Sequence, residues 1–345
     1  MTEEIQNERI FYNALAKYTK GNYRDLQKIK EKFSTWTNAY ESLSKKIDIN
    51  PEKEWKILKE KNIDLLLSCE KDFPSLLKEI PFPPHALYVR GKIPADETTC
   101  VAMVGTRKAS ATGISTAATL AFELASHNIA IISGLAFGID IASQKGALES
   151  GGKVVAVLAS GVEKITPRSN TRLGEEIIAQ GGAVISEYPV GTDSLPHYFL
   201  ERNRIVSGLS RAVVVIEAPL RSGTLCTARF AIEQNRELLV VPGSITNPNF
   251  EGSHSLLKQG ATLITCSKDV LEALGIDAVS PSKRDISFLN DLQKKIFEYL
   301  TSCAKPVHTD ALCDALNVSA AEISESLTML VIMNVIKETG GKYYV

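Results

Sequence analysis

Arg202-Asn203-Arg204-Ile205-Val206-Ser207-Gly208-Leu209-Ser210 leads into an apolar run, Ala212 to Ile216, and then into the small-residue loop Ser222-Gly223-Thr224. The order is a helix-like segment, a Val-rich strand and a turn that opens another helix. Two guanidiniums stand near that turn, and a guanidinium grips phosphate oxygens through paired donors. A Ser-Gly-Thr loop at a helix start offers backbone N–H groups and a positive dipole end to the same kind of ligand. The stretch therefore reads as one strand-turn-helix unit carrying a phosphate site.

Outward from it the same texture repeats. Short β-branched runs at Val101–Val104, Ile129–Ile132, Val154–Leu158, Ala183–Ile185, Leu238–Val241 and Thr262–Ile264 alternate with Ala-rich helical stretches. Such alternation predicts an α/β fold whose mostly parallel sheet is covered on both faces. Ligands of these sheets sit at the carboxyl ends of the strands. Gly105, Ser133-Gly134, Ser160-Gly161, Glu187, Glu217 and Pro242-Gly243 are thus expected on one rim.

The flanks differ in composition. Residues 1–75 carry helical periodicity and many Lys and Glu, as in Phe11, Leu15 and Tyr18, and predict a small helical domain. Pro81-Phe82-Pro83-Pro84-His85 follows, where prolines remove donors and fix φ, so no regular element crosses it. The α/β domain is assigned to residues 76–277, and the Pro/Ser-rich stretch 278–285 to a linker. Residues 286–345 give three helix-like pieces and two short strands around Gly340-Gly341, the outline of a winged helix.

At 345 residues the chain is long for one core. A formal charge of −1 gives no overall field to draw a polyanion, so any such ligand must be held by a local groove. The six cysteines form no CxxC pair and read as reduced thiols of a cytoplasmic protein. The five histidines form no HExxH or Cys/His cluster, so no metal is expected. The start Met-Thr-Glu-Glu-Ile is too acidic for a signal peptide, and no apolar run reaches the roughly 20 residues that span a bilayer.

Gly105-Thr106-Arg107-Lys108-Ala109-Ser110-Ala111-Thr112-Gly113 lies at the first strand-to-helix turn. It is not GxGxxG, and Ser133 stands where a dinucleotide site wants an acid, so NAD and FAD are disfavoured. It reads either as a turn with a solvated Arg-Lys pair or as a phosphate nest gripped by Arg107. In Ser133-Gly134-Leu135-Ala136-Phe137-Gly138-Ile139-Asp140, Asp140 reads as a capping residue. Phe137 is either core or, if exposed, a stacking platform for a base. Arg168 adds a cation near the same rim, and Asn170 an amide able to bond a base edge.

Together these blocks, with Gly146-Ala147-Leu148, Glu217-Ala218, Thr227-Ala228 and Pro242-Gly243, resemble the DprA/Smf family (DNA-processing protein A) over roughly residues 60–275. The resemblance implies an extended Rossmann-like sheet between an N-terminal helical (SAM-like) domain and a winged helix. It implies a cytoplasmic homodimer, joined through the Rossmann-like domain, that binds single-stranded DNA and loads RecA onto it during natural transformation, with no cofactor. Arg107 matches the family's DNA-gripping arginine, and Arg168 falls where the family commonly has a basic residue; with the residues read above, the expected contact set is Gly105, Thr106, Arg107, Lys108, Phe137, Arg168, Asn170, Arg202, Asn203, Arg204, Ser222, Gly223 and Thr224. The chain departs from the family at Phe137, Gln144 and Thr166, where Arg, His and Tyr are common.

Residues 101–265 hold 14 Lys and Arg against 13 Asp and Glu, so binding must come from Arg107, Arg168, Arg202 and Arg204 being set on one rim. The rival class is an enzyme similar to the "lysine decarboxylase-like" phosphoribohydrolases. There Thr227 occupies the place of the catalytic Glu, and a hydroxyl replacing a general base argues against hydrolysis. A duplex-reading winged helix fails on charge. Residues 286–345 hold five Lys and Arg against seven Asp and Glu, and 319–334, where a recognition helix would lie, has no cation.

Overall fold

The computed structural model describes residues 3–276, 289–303, 307–333, 335–339 and 341–344, so the linker expected at 278–285 lies outside the described residues. Two compact units divide the chain, Met1–Ala278 and Val279–Val345.

The first unit opens on four helices, α1 (Glu3–Tyr18), α2 (Tyr23–Lys32), α3 (Trp36–Leu43) and α4 (Pro51–Glu60). Asn22, Thr35 and Asn50 cap α2, α3 and α4 through side-chain oxygens that accept from the third residue beyond, and Pro51 adds the fixed φ that suits a first helical position. Next come β1 (Asp64–Leu67), α5 (Ser75–Lys78), β2 (Ala86–Gly91), β3 (Cys100–Val104), α6 (Ala111–Ser126), β4 (Ala130–Ser133), α7 (Ile139–Glu149) and β5 (Val154–Val157). The unit closes with α8 (Thr171–Ala179), β6 (Ala183–Ser186), α9 (Pro196–Gly208), β7 (Ala212–Val215), α10 (Gly223–Glu233), β8 (Glu237–Val240), α11 (Glu251–Lys258), β9 (Thr262–Leu263) and α12 (Ser267–Ala273).

All nine strands form one sheet in the order β1-β2-β6-β5-β4-β3-β7-β8-β9. The seven runs read as strands are β3 to β9, and every pairing among them is parallel. The fold is thus the Rossmann-like α/β sheet expected. The sequence reading did not anticipate β1 and β2, which pair antiparallel with each other and extend the sheet past β6. The sheet therefore reaches back to residue 64. Leu65, Leu67 and Tyr88 belong to the same apolar cluster as Leu15, Trp36 and Leu58 of the helices. The Tyr88 hydroxyl donates to Asn13 Oδ1 at 2.9 Å.

Alternation along each strand builds two further cores. Val101 and Met103 of β3 join Leu120 and Leu124 of α6 and Leu173 of α8 on one face. Ala102 and Val104 join Ile205 and Val206 of α9 and Ala228 of α10 on the other. Strand order reverses at β3, whose neighbours lead toward β6 on one side and β9 on the other. That switch point is where a doubly wound sheet opens a crevice between loops leaving opposite ways.

The second unit contains α13 (Asp291–Ser302), β10 (Val307–His308), α14 (Thr309–Leu316), α15 (Ala320–Ile332), β11 (Lys337–Thr339) and β12 (Lys342–Tyr344). The strands form an antiparallel sheet ordered β10-β12-β11, an arrangement compatible with a winged helix. Ile323, Leu327 and Leu330 of α15 are buried in its core with Ile296 and Leu312, while Val331 packs half-buried at its edge. Among the described residues no single helix is long and apolar enough to cross a membrane.

Candidate nucleic-acid interface

A cleft of about 550 Å³ opens at the switch point. Its walls are the loop after β3 (Gly105, Thr106, Arg107), the loop after β4 (Gly134, Ala136), the start of α9 (Pro196, Phe199, Leu200) and the loop into α10 (Arg221, Ser222, Gly223). Three strand-to-helix turns and one helix thus supply it.

The loop after β3 is held from beneath. Thr106 N–H donates to Glu217 O at 2.8 Å, and Ser110 N–H to Glu217 Oε2 at 3.0 Å, while the Ser110 hydroxyl donates to Oε1. Glu217 is fully buried. Ser110 in turn caps α6 by accepting from Gly113 N–H at 3.0 Å. Glycine at 113 leaves room for the Glu217 carboxylate, which a Cβ there would force to shift. Arg107 and Lys108 project from this pinned turn and are exposed. The Arg107 guanidinium lies 4.9 Å from the centroid of the Phe199 ring, within cation–π range.

Arg202 forms part of the floor and is 3% exposed. Its Nη1 donates to Gly134 O at 2.9 Å and to Val157 O, and Nε donates to Asn203 Oδ1 at 3.2 Å. It therefore ties the ends of β4 and β5 together, and Asp140, which also lines the cleft, stands close enough to interact with its charge. Burial draws its pKa down to about 10, with Arg107 adding to the fall and Asp140 opposing it, so it stays charged at neutral pH. Asp140 accepts from Gly134 N–H at 3.1 Å and Ala136 N–H at 3.3 Å. Burial raises its pKa, against the pull of Arg202 and those two amides.

On the opposite wall Ser222 caps α10, its hydroxyl oxygen accepting from Thr224 N–H at 3.1 Å. Asn203 Nδ2 donates to Gly223 O at 3.3 Å and fastens α9 to that helix start. Gly223 is exposed, with space above it where a Cβ would stand. Thr227, 2% exposed, turns its hydroxyl back to Gly223 O at 3.5 Å.

Gly105, Thr106, Arg107, Arg202, Asn203, Ser222, Gly223 and Thr224 are brought together here. Lys108, Phe137, Arg168 and Asn170 lie outside the lining. Phe137 is 47% exposed on the loop after β4, and Arg168 is exposed on a neighbouring turn. Asn170 is buried, and its amide donates to Leu135 O at 2.8 Å, so it serves the protein's own turn rather than an open base edge.

Arg204 does not reach the rim. It is 7% exposed and makes a two-pronged pair with Glu187 at 2.8 and 2.6 Å, its guanidinium 5.4 Å from the ring centroid of Tyr23 in α2. Residues two apart on a helix point about 200° apart, so Arg202 and Arg204 cannot face one ligand. Glu187 likewise belongs to this buried pair. Phe199, Leu200 and Arg221, by contrast, line the cleft without having been picked out from the sequence. No local motif marks them; Leu200, at 47% exposed, is the kind of apolar residue only a surface shows.

The family model described as DNA recombination-mediator protein A matches residues 64–275. The chain belongs to that family. The matched stretch starts at β1 and ends beyond α12, so the sheet and the cleft lie wholly inside it. Protein Smf of Escherichia coli (strain K12) is 44% identical over 211 residues, 61% of this chain and 56% of that one. The chain thus spans little more than half of that relative, whereas Protein Smf of Synechocystis aligns over 86% of this chain and 83% of its own length at 31% identity. Among solved structures, DNA processing protein A (DprA) of Streptococcus pneumoniae is similar at a TM-score of 0.60 and 34% identity, covering 69% of this chain and 80% of its own. DNA processing protein A of Helicobacter pylori, described for its single-stranded DNA binding mode, matches at 0.55 and 30% identity over 61% of this chain and 95% of its own.

Proposed function

We propose that the cleft binds single-stranded DNA and that the chain acts as a recombination mediator. The observation that carries the reading is the Arg107–Phe199 wall. An exposed guanidinium and an aromatic ring share one side of a cleft whose floor carries Arg202 and Asp140 and whose far side is a helix N-terminus. Phosphate suits Arg107, Arg221 and the exposed Gly223 turn. An unstacked base suits Phe199 and Leu200, which a duplex with its bases paired and stacked cannot offer to a recess of this size. Lys108, Arg168 and Phe137 would extend the track beyond the cleft.

Arg202 and Arg204 support this site from within instead of gripping the strand, so few phosphates are neutralised directly. The salt dependence should be modest, about −0.7 in log–log slope for each one. We extend the proposal to loading of RecA on the bound strand during natural transformation, dimerisation through the Rossmann-like sheet and a cytoplasmic setting, and the family to which the chain belongs supports this extension. Binding rather than nucleotide hydrolysis is supported by Thr227, a buried hydroxyl where the related hydrolases place their carboxylate base.

The test is fluorescence anisotropy of a labelled oligo-dT strand and of a duplex of equal length at matched salt. Clear preference for the single strand is expected. Equal affinity for the two would overturn the reading.

A further inference from the structure

We propose that Asn249 is a positioning residue for Arg107, acting through Glu217 and the backbone of the turn after β3; the proposal rests on the single-strand reading of the cleft. Asn249 lies on a 3-10 turn, Pro248–Phe250, between β8 and α11, 142 residues away in sequence from the arginine it would serve.

One amide reaches two points. Asn249 Nδ2 donates to Lys108 O at 3.0 Å and to Glu217 Oε2 at 3.0 Å. Both partners are acceptors, so the chemistry itself fixes which end of the amide faces the loop. Glu217 holds Thr106 and Ser110 as described above, and Asn249 adds the carbonyl of Lys108 between them. Arg107 is therefore flanked by a pinned residue on either side. The 3-10 turn has its own anchors: Asn247 Oδ1 accepts from Asn249 N–H at 3.0 Å, and the next residue, Phe250, is buried.

An exposed arginine gives up conformational freedom when it grips a phosphate. A loop already ordered before the ligand arrives carries less of that cost at binding. Without the Asn249 amide, Lys108 O loses this donor and Glu217 Oε2 keeps only Ser110 N–H. An aspartate at 249 would go further, since an ionised carboxylate donates nothing and would face Glu217 directly.

The experiment uses the full chain in wild-type form and as Asn249→Ala, Asn249→Ser, Asn249→Asp, Arg107→Ala and the Asn249→Ala/Arg107→Ala pair. Alanine and serine are made in parallel so that one folded variant suffices. Amide hydrogen exchange without DNA is expected to quicken over residues 105–110 while the strands keep their protection. Affinity for oligo-dT is expected to fall about tenfold in Asn249→Ala, the scale of one hydrogen bond to a charged group. Asn249→Asp should fall further. In the double variant most of the Asn249 loss should vanish, because Asn249 acts on the strand only by holding the turn that carries Arg107. Unchanged exchange at 105–110 overturns the proposal, as do losses that add in full or an aspartate variant that binds like wild type. If Arg107→Ala itself binds like wild type, the single-strand reading falls and this inference with it; the exchange result separates the two failures.

Discussion

The Arg107 guanidinium lies over the Phe199 ring, 4.9 Å from its centroid. One residue comes from the turn after β3 and the other from the first turns of α9, 92 positions on. On the single-strand reading, the pair gives the cleft a wall with two chemistries, a cation for phosphate and an aromatic ring for a base.

Replacing Phe199 by Ala should therefore weaken single-strand binding by about 1–3 kcal/mol, the worth of one stacked base. The salt slope should stay as in wild type, because no charge is lost. Phe199→Tyr should bind nearly normally. Anisotropy with oligo-dT across a salt series reads both quantities, and wild-type affinity in the alanine variant would remove Phe199 from the interface.

The Arg204–Glu187 pair calls for a different outcome. Removing Glu187 leaves a guanidinium buried with no carboxylate partner, a loss of roughly 3–5 kcal/mol of stability. Glu187→Ala should lower the denaturant midpoint strongly, while protein still folded at low temperature keeps its affinity for the strand. Loss of binding with stability intact would return Arg204 to the interface.

His85 predicts a pH dependence of stability. Its ring stacks on Tyr23 at 5.1 Å and meets the Trp36 edge at 5.5 Å, and its pKa is pulled down to about 4 by burial, then by the charges of Lys30 and Arg204. In the unfolded chain a histidine titrates near 6.5. Protons therefore bind the unfolded chain first, and the stability due to neutral His85 is complete above about pH 6.5 and lost as pH falls through about 4. Urea midpoints between pH 7.5 and 4.5 should fall more steeply for wild type than for His85→Phe. Parallel curves would contradict the assignment.

How much of this was legible in the sequence depends on which residues are asked. Strands β3 to β8 announce themselves because a parallel strand buried on both faces reads as a nearly unbroken apolar run, whereas β9 is an exposed edge strand marked only by the short run Thr262-Leu263-Ile264. Strands β1 and β2 do not: Leu65-Leu66-Leu67 is a bare three-residue run beside Asp64, and Ala86–Gly91 follows a Pro-rich connector that masks its start. Arg107 was legible because it sits in a turn at a strand's end. Arg204 lies off the rim, which the spelling Arg-x-Arg does not reveal, because it shows two cations and hides the half-turn of helix between them. Phe199, Arg221 and Asn249 acquire meaning only once the strand order brings three turns to one crevice.

Residues 286–345, with five Lys and Arg against seven Asp and Glu, give a fourth expectation. Residues 1–276 alone should bind oligo-dT with nearly the affinity of the full chain, because the cleft and its cations lie within them. A truncated protein that is folded by circular dichroism but does not bind would assign the strand contact to the C-terminal unit.

The most direct test of the account is the affinity of Arg107→Ala for oligo-dT, measured from low to moderate salt beside wild type. The variant is expected to keep the wild-type unfolding midpoint, since the side chain is exposed. It should bind tenfold or more weakly, with a log–log salt slope shallower by about 0.7, the signature of one phosphate contact removed. A folded variant that matches wild type in both affinity and slope would contradict the placement of single-stranded DNA in this cleft.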